Sequence, residues 1–191
     1  MRLLNLKAVI RRKRYNYKPH SPQHVAENVL DRKFDRDYKP MEVLLTDVTE
    51  FKYGKHSKAY LSAILDYGAN QIIAFKLSNR NDNTLVHDTI IQIEDFLVPN
   101  KTLLHSDRGY QYTSHFFKKF IEDHQITQSM SRVGKCIDNG PMENFWGIIK
   151  EEMYRLKRYE TFEELANDVK QYIKFYNTKR VTLNMGLSIP A

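Results

Sequence analysis

Three acidic residues stand at positions where a carboxylate can do chemistry. Asp47 interrupts the apolar stretch LLTDVTEF, and Asp107 directly follows the apolar run TLLH. Glu143 lies in the first turn of a helix that begins near Pro141. A carboxylate in a buried strand is costly unless it is paired, hydrogen-bonded or bound to a metal ion. Oxygen ligands alone select Mg²⁺ or Mn²⁺, and two such ions clamp the attacking and leaving oxygens of a phosphoryl displacement.

Each of the three carboxylates also has an ordinary explanation. Asp47 can face solvent on an alternating strand, Asp107 suits a turn, and Glu143 complements the helix dipole. With 23 acidic residues in the chain, a triplet at any chosen spacing arises by chance. Their joint placement on core strands and at a helix start, with no basic partner in the same element, favours a site that divalent cations neutralise.

The elements that must position these residues are three strands followed by alternating helices and strands. Residues 41–53 and the two halves of the stretch around DYGAN predict an antiparallel meander. Helical periodicity over residues 84–97, the run KTLLHSD, the amphipathic SHFFKKFIEDHQ and the run ITQSMS predict α-β-α-β. Two more helices follow, the second with a capping box from Thr161 to Glu164. This order predicts an α/β fold, a mixed five-stranded sheet with helices on both faces. These patterns alone leave open whether the first and fourth strands are adjacent.

The excess positive charge of the chain is confined to its first 40 residues. The net charge is +7, and residues 1–40 hold eleven Lys and Arg against four Asp and Glu, which accounts for all of it. Arg11, Arg12, Lys13 and Arg14 lie next to two tyrosines, a composition suited to phosphate contacts and base stacking. The alternative is a solvated basic segment that aids solubility.

Several classes of protein are excluded by composition. Cys136 is the only cysteine, so there is neither a disulfide framework nor a cysteine pair to anchor zinc. The chain has no apolar run long enough for a membrane span, and residues 1–14 lack the order of charge and apolar residues of a secretory signal. We therefore expect a cytoplasmic protein with one main domain.

Four motifs in order resemble the integrase catalytic core of bacterial insertion-sequence transposases, the retroviral-integrase-like group with an Asp-Asp-Glu signature. They are LLTDVTEF, LHSDRGYQYTS, SRVGKCIDNGPMENFWGIIKEE and FYNTKR, and the resemblance covers about residues 1–190. Asp107 and Glu143 are separated by 35 residues, the spacing of that signature. The resemblance implies a ribonuclease-H-like fold and a catalytic, metal-binding triad of Asp47, Asp107 and Glu143 that holds two Mg²⁺ or Mn²⁺ ions.

The resemblance also assigns residues around Glu143. Lys150 lies seven residues after Glu143, on the same helix face, where the family carries a basic residue that meets DNA; the alternative is a solvated lysine paired with a nearby acid. Asn139 and Gly140 match the family's loop, as turn and cap residues. Phe145 and Trp146 are interpreted as core side chains.

The resemblance predicts a DNA-cleaving and strand-transferring enzyme that acts as a homo-oligomer holding two DNA ends. Residues 1–40 are expected to be a basic arm and linker, the remnant of a helix-turn-helix region, and residues 41–191 the catalytic core with its C-terminal helix. Two alternatives stay open. One is a metal-dependent nuclease of the same fold, and the other is a truncated, inactive DNA-binding remnant.

Overall fold

Five strands form one mixed sheet in the order β3-β2-β1-β4-β5. A computed structural model of the chain describes residues 24–132 and 136–181. The strands are β1 (Val43–Tyr53), β2 (Ser57–Asp66), β3 (Gln71–Ser78), β4 (Leu103–Ser106) and β5 (Thr127–Met130). The first three are antiparallel, whereas β4 pairs parallel to both β1 and β5. The predicted meander followed by a βαβ unit is confirmed, and β1 and β4 are neighbours.

Within the described residues, four α-helices alternate with and follow the last strands, in the predicted order. They are α1 (Asn83–Ile90), α2 (His115–Asp123), α3 (Gly140–Glu152) and α4 (Phe162–Thr178). Side chains cap three of them, because Asp82, Ser114 and Thr161 each accept a hydrogen bond from the amide three residues later. No helix in the described ranges has the length and apolar character needed to cross a bilayer.

The helix predicted over residues 84–97 is shorter than expected. It is α-helical only to Ile90 and continues as a 3₁₀ helix, Ile91–Phe96. In the last turn of α1 the Thr89 hydroxyl donates to the Leu85 carbonyl oxygen at 2.8 Å. Such a bond competes with the backbone ladder and often bends a helix, and here it lies next to the change to tighter winding.

Helices cover both faces of the sheet, as predicted. Alternation along β1 sends Val43 and Leu45 to the face packed by α3 and α4. Leu44 points to the other face, where α1, the 3₁₀ helix and α2 pack. Because 47 has the parity of 43 and 45, Asp47 belongs to the α3 side of the sheet.

Residues 24–40 form turns and irregular chain that pack against the sheet. Leu30 is 2% exposed within the core on the α3 side, and its amide donates to Ser129 Oγ at 3.1 Å. The Met130 amide donates to the Glu27 carbonyl oxygen at 3.1 Å. A Cβ on Gly68 would lie 2.3 Å from the Lys39 carbonyl oxygen, so this segment passes close over the β2–β3 turn. The domain boundary at residue 40 stays a prediction, and Arg11, Arg12, Lys13 and Arg14 lie outside the described residues.

We predict that Leu30→Ala lowers the free energy of unfolding by about 3 kcal/mol, because it leaves a cavity in a packed core. Val29→Ala is the matched control, since Val29 is adjacent in sequence but 46% exposed, and it should change stability by less than about 0.5 kcal/mol. Urea unfolding of the full chain measures both. Equal effects would mean that the segment does not belong to the folded unit.

Candidate active site

The parallel pairing of β1 with β4 brings Asp47 and Asp107 side by side. Leu45 lies opposite His105 at the end of this pairing. Asp47 and Asp107 each follow two residues later, so they continue the same register on the same face of the sheet. The strand order therefore shows that β1 and β4 are adjacent, which the sequence patterns leave open.

The Asp47 carboxylate is electrostatically coupled to both of the other predicted acids. Burial is the main cause that raises the pKa of Asp47 to about 6, and the negative charge of Asp107 is the next. Hydrogen bonds from the Val48 amide and the Trp146 side chain oppose this shift, and Glu143 adds a smaller increase. Asp47 is thus a carboxylate whose negative charge a nearby cation would stabilise.

Asp107 lies where β4 opens into a turn. The Gly109 amide donates to Asp107 Oδ1 at 2.7 Å, the turn geometry expected of an aspartate in this sequence. Part of the side chain reaches solvent, but neighbouring atoms displace enough water to raise the pKa of Asp107 above its usual value. Asp107 can therefore stabilise this turn and also belong to the candidate site.

Glu143 lies in the first turn of α3 with its side chain exposed. Across residues 24–132 and 136–181, no three His, Cys, Asp or Glu side chains are grouped closely enough to hold a metal ion. Asp47 and Asp107 are neighbours, and Glu143 is close enough to influence the pKa of Asp47 without completing such a group. The paired carboxylate oxygens match the ligand chemistry of Mg²⁺ or Mn²⁺.

Trp146 has a role in the site that sequence reasoning missed. Its burial confirms the prediction of a core side chain, as does that of Phe145. In addition, Trp146 Nε1 donates to Asp47 Oδ2 at 3.0 Å. The signal was present, because a buried indole N–H needs a partner and Trp146 lies one turn after Glu143 on the same helix.

We predict that Trp146→Phe raises the pKa of Asp47 above its present value of about 6. The substitution keeps an aromatic ring but removes the N–H that stabilises the ionised carboxylate. Carboxyl ¹³C NMR titration without added metal measures the change. Tyr154→Phe is the control, because it removes hydrogen bonds to Lys52 beyond the C-terminal end of α3. An unchanged or lowered Asp47 titration in Trp146→Phe would contradict the prediction.

His105 is beside the acidic pair but is not placed to act as a base. Its two ring nitrogens are hydrogen-bonded to Ser129 Oγ at 2.9 Å and Ser131 Oγ at 3.1 Å. Burial lowers the pKa of His105 to about 4, so the ring is neutral near pH 7. It ties β4 to β5 and leaves proton transfer to other groups.

Lys150 lies on α3 within electrostatic range of Asp47. Its Nζ lies 5.8 Å from the centroid of the Phe51 ring, a cation–π arrangement. Partial burial lowers the pKa of Lys150, and the negative charges of Asp47 and Glu50 oppose that shift. A positive charge is thus held next to the acidic pair.

Asn139 stands at the N-cap position of α3, but its side chain makes no capping hydrogen bond. The prediction that Asn139 occupies the cap position is therefore confirmed, but its side chain does not cap the helix. Its Nδ2 instead donates to the Thr46 carbonyl oxygen in β1 at 3.2 Å. The N-cap residue reaches β1 because α3 starts directly against that strand.

The sequence patterns did not identify Asp138, which has a structural role. It is 0% exposed, and its carboxylate is bound by Arg132 at 3.0 Å, by Arg32, and by Asn28 Nδ2 at 3.1 Å. The two guanidinium groups hold the pKa of Asp138 well below its usual range. This cluster joins residues 28–32, the chain after β5 and the start of α3.

Comparison with known proteins agrees with this geometry. A family model described as "Integrase core domain" matches residues 37–136, slightly more than half of the chain, and a second model of the same description matches residues 143–189. An Escherichia coli K12 protein assigned as transposase InsK of insertion sequence element IS150 is 38% identical over 186 residues. That match covers 97% of this chain and 65% of the relative, so the chain spans less than two thirds of that protein.

Two other relatives are matched over more of their length. A transposase-like protein of Haemophilus influenzae is 38% identical, with 95% of this chain and 83% of the relative covered. The transposase of insertion sequence element IS904 from Lactococcus lactis is 30% identical, with 93% and 71% covered.

Solved structures show the same fold. The catalytic core domain of HTLV-2 integrase, in a trimeric form with magnesium, has a TM-score of 0.62 at 20% identity, covering 80% of this chain and 96% of that one. The core domain of BIV integrase has a TM-score of 0.56 at 17% identity, covering 78% and 91%. The predicted ribonuclease-H-like fold is confirmed.

Proposed function

Because this chain belongs to the integrase core domain family, we propose that it catalyses DNA cleavage and strand transfer in the transposition of an insertion sequence. The observation that carries the proposal is the pair formed by Asp47 and Asp107 on two parallel strands, with the pKa of Asp47 raised first by burial and second by the charge of Asp107.

The reaction consists of two phosphoryl transfers. In the first, a water oxygen bonds to phosphorus at the element end and loses a proton to solvent, and the 3′ oxygen leaves and takes up a proton from solvent to become a 3′-OH. In the second, that 3′ oxygen bonds to a target phosphorus, and the target's own 3′ oxygen leaves and takes up a proton. The number of phosphodiester bonds is unchanged in the second step, so no nucleotide hydrolysis is needed to drive it.

Asp47 and Asp107 would hold Mg²⁺ or Mn²⁺, with Glu143 approaching from α3 to complete the ligand set. Two bound ions would stabilise the charge on the attacking and leaving oxygens. The protein's own contribution is orientation, since the Trp146 indole fixes one Asp47 oxygen and the Gly109 amide fixes one Asp107 oxygen. The engaged nitrogens of His105 agree with a mechanism that uses no side-chain base.

DNA contacts are proposed for two basic regions. Lys150, held beside the acidic pair, would meet a phosphate next to the scissile bond. Arg11, Arg12, Lys13 and Arg14 would add phosphate contacts from the basic arm. Because the reaction brings two DNA ends together, the enzyme would act as a homo-oligomer. Because its substrate is bacterial DNA, it would be cytoplasmic and associated with the nucleoid.

We predict that Lys150→Gln weakens DNA binding about 3- to 10-fold and lowers the slope of log affinity against log salt by about 1. Removing one phosphate contact reduces the number of counterions released. Lys119→Gln is the control, because Lys119 lies on α2, on the opposite face of the sheet, and is paired with Asp123. Fluorescence anisotropy across a salt series measures both. Equal slopes for Lys150→Gln and the parent would remove Lys150 from the interface.

Product analysis tests the function. The full chain is incubated with Mn²⁺ and end-labelled DNA taken from both sides of its reading frame. The proposal expects shortened strands together with longer, joined strands. Shortened strands alone would identify a metal-dependent nuclease of the same fold. Binding without any product, with either Mn²⁺ or Mg²⁺, would identify an inactive DNA-binding remnant.

A further inference from the structure

Asn139 connects the helix that carries Glu143 to the strand that carries Asp47. Its Nδ2 donates to the carbonyl oxygen of Thr46, the residue directly before Asp47, at 3.2 Å. Asn139 itself directly precedes α3 and is 3% exposed. A hydrogen bond at such a buried position is shielded from competing water and holds its two ends firmly.

This bond is made where the pairing of β1 with β4 ends. Leu45 and His105 are the last paired residues, so Thr46 is the first residue of β1 beyond them. A buried strand carbonyl requires a donor, and the Asn139 amide supplies it. The first turn of α3 is therefore located relative to the backbone of the strand that bears Asp47.

Asn139 makes this contact in place of the capping hydrogen bond that its position would allow. An asparagine at an N-cap usually accepts a helix amide, but Asn139 makes no such bond. Its Oδ1 is buried and finds no donor among the residues that the structure describes. Both features cost stability, and departures from local rules of this kind concentrate at functional sites.

We propose that Asn139 is a positioning residue for phosphoryl transfer, whose amide fixes the separation between Asp47 and Glu143. The inference rests on the proposed function, because it assigns those two carboxylates to one reaction. The adjacent Asp138 anchors the same point of the chain through Arg32 and Arg132. Of these two adjacent residues, Asn139 is the one whose side chain contacts β1.

Asn139→Ser separates positioning from stability. Serine caps a helix well, so α3 should remain as stable as before, but its shorter side chain moves the donor away from Thr46. We expect turnover on DNA to fall about 10- to 100-fold, with DNA affinity changed less than about twofold, because misplaced reacting groups affect the chemical step.

Asn177→Ser is the matched control. Asn177 Nδ2 donates to the Ile72 carbonyl oxygen at 2.8 Å, and its Oδ1 accepts from the Ile72 amide at 3.0 Å. It thus ties α4 to β3, the edge strand two places from β1. This variant should lose stability and keep its turnover per folded molecule.

The single tryptophan provides a readout that does not depend on activity. Because Trp146 lies on α3 and donates to Asp47, a shift of α3 against β1 should change its native-state emission. Asn139→Ser should shift the emission and Asn177→Ser should not. If Asn139→Ser does not fold, Asn139→Ala is measured in the same way.

Full turnover in the Asn139 variant overturns the inference, as does lost turnover with unshifted emission. An equal emission change in Asn177→Ser also overturns it. If the parent protein neither cleaves nor joins DNA, the proposed function fails, and the emission comparison alone then supports or overturns the positioning of α3 by Asn139.

Discussion

Asp47→Asn and Asp107→Asn should each reduce DNA cleavage and joining by at least about 10³-fold while the protein remains folded. Each change removes one carboxylate of the proposed metal site and keeps the shape of the side chain, so the proposed metal binding should be lost while packing is retained. Glu143→Gln should have an effect of the same kind, because Glu143 is the third carboxylate of the proposed site and its charge acts on Asp47.

The same variants should be at least as stable as the parent at pH 7 without added metal. The pKa of Asp47 is raised to about 6, so this group favours the folded state below its unfolded value of 3.8, and that contribution is lost as the pH rises through 6. Asp47→Asn removes the cost of burying a charge and, to a smaller extent, the repulsion from Asp107, which together correspond to about 2 to 3 kcal/mol at neutral pH.

Single-turnover assays and urea unfolding, performed on the same preparations, measure the two effects. Asp123→Asn is the control, because Asp123 is an exposed acid of α2 paired with Lys119, and the substitution should leave turnover unchanged. Full activity in Asp47→Asn or Asp107→Asn would remove that residue from the site. Loss of activity with a matching loss of stability would indicate unfolding instead of lost chemistry.

Asp138→Asn should lower the free energy of unfolding by about 3 kcal/mol, the largest effect on stability that we expect from a single change of charge. It places an amide NH₂ group at a fully buried position among the N–H donors of Arg32, Arg132 and Asn28, and it removes the negative charge that they bind. Because the pKa of Asp138 is lowered, its contribution is present above about pH 4 and is lost as the pH falls further.

The stability difference between parent and Asp138→Asn should therefore narrow in acid, which urea unfolding at pH 7 and below pH 4 measures. Glu50→Gln is the control, since Glu50 forms an exposed pair with Lys58 and should cost less than about 1 kcal/mol. A loss of similar size in both variants would contradict the special role of the buried cluster.

The sequence predicted the parts of the site that depend on local pattern. The strand that contains Asp47, the turn after Asp107 and the helix that begins before Glu143 all follow from periodicity and turn chemistry. The parallel pairing of β4 with β1 could not be predicted, because it joins segments that are distant in the sequence. The alternation of side chains along a strand shows which face is buried but not which strand lies beside it.

Two further features were beyond local reasoning for the same reason. The Asp138 cluster joins residues that are 106 and 110 positions apart, and no pattern within the segment 28–32 marks its partner. Asn139 has the sequence context of a cap, and only the end of the β1–β4 pairing shows why its amide serves β1 instead.

The packing of residues 24–40 has a practical consequence for gene design. A shortened gene that encodes only residues 41–191 would discard Leu30, which fills the core, and Arg32, which neutralises Asp138. Its product would carry a cavity in the core and a buried acid, Asp138, with one fewer basic partner just before α3. Expression vectors for crystallisation should start upstream of His24, whose amide is already bonded to Thr113.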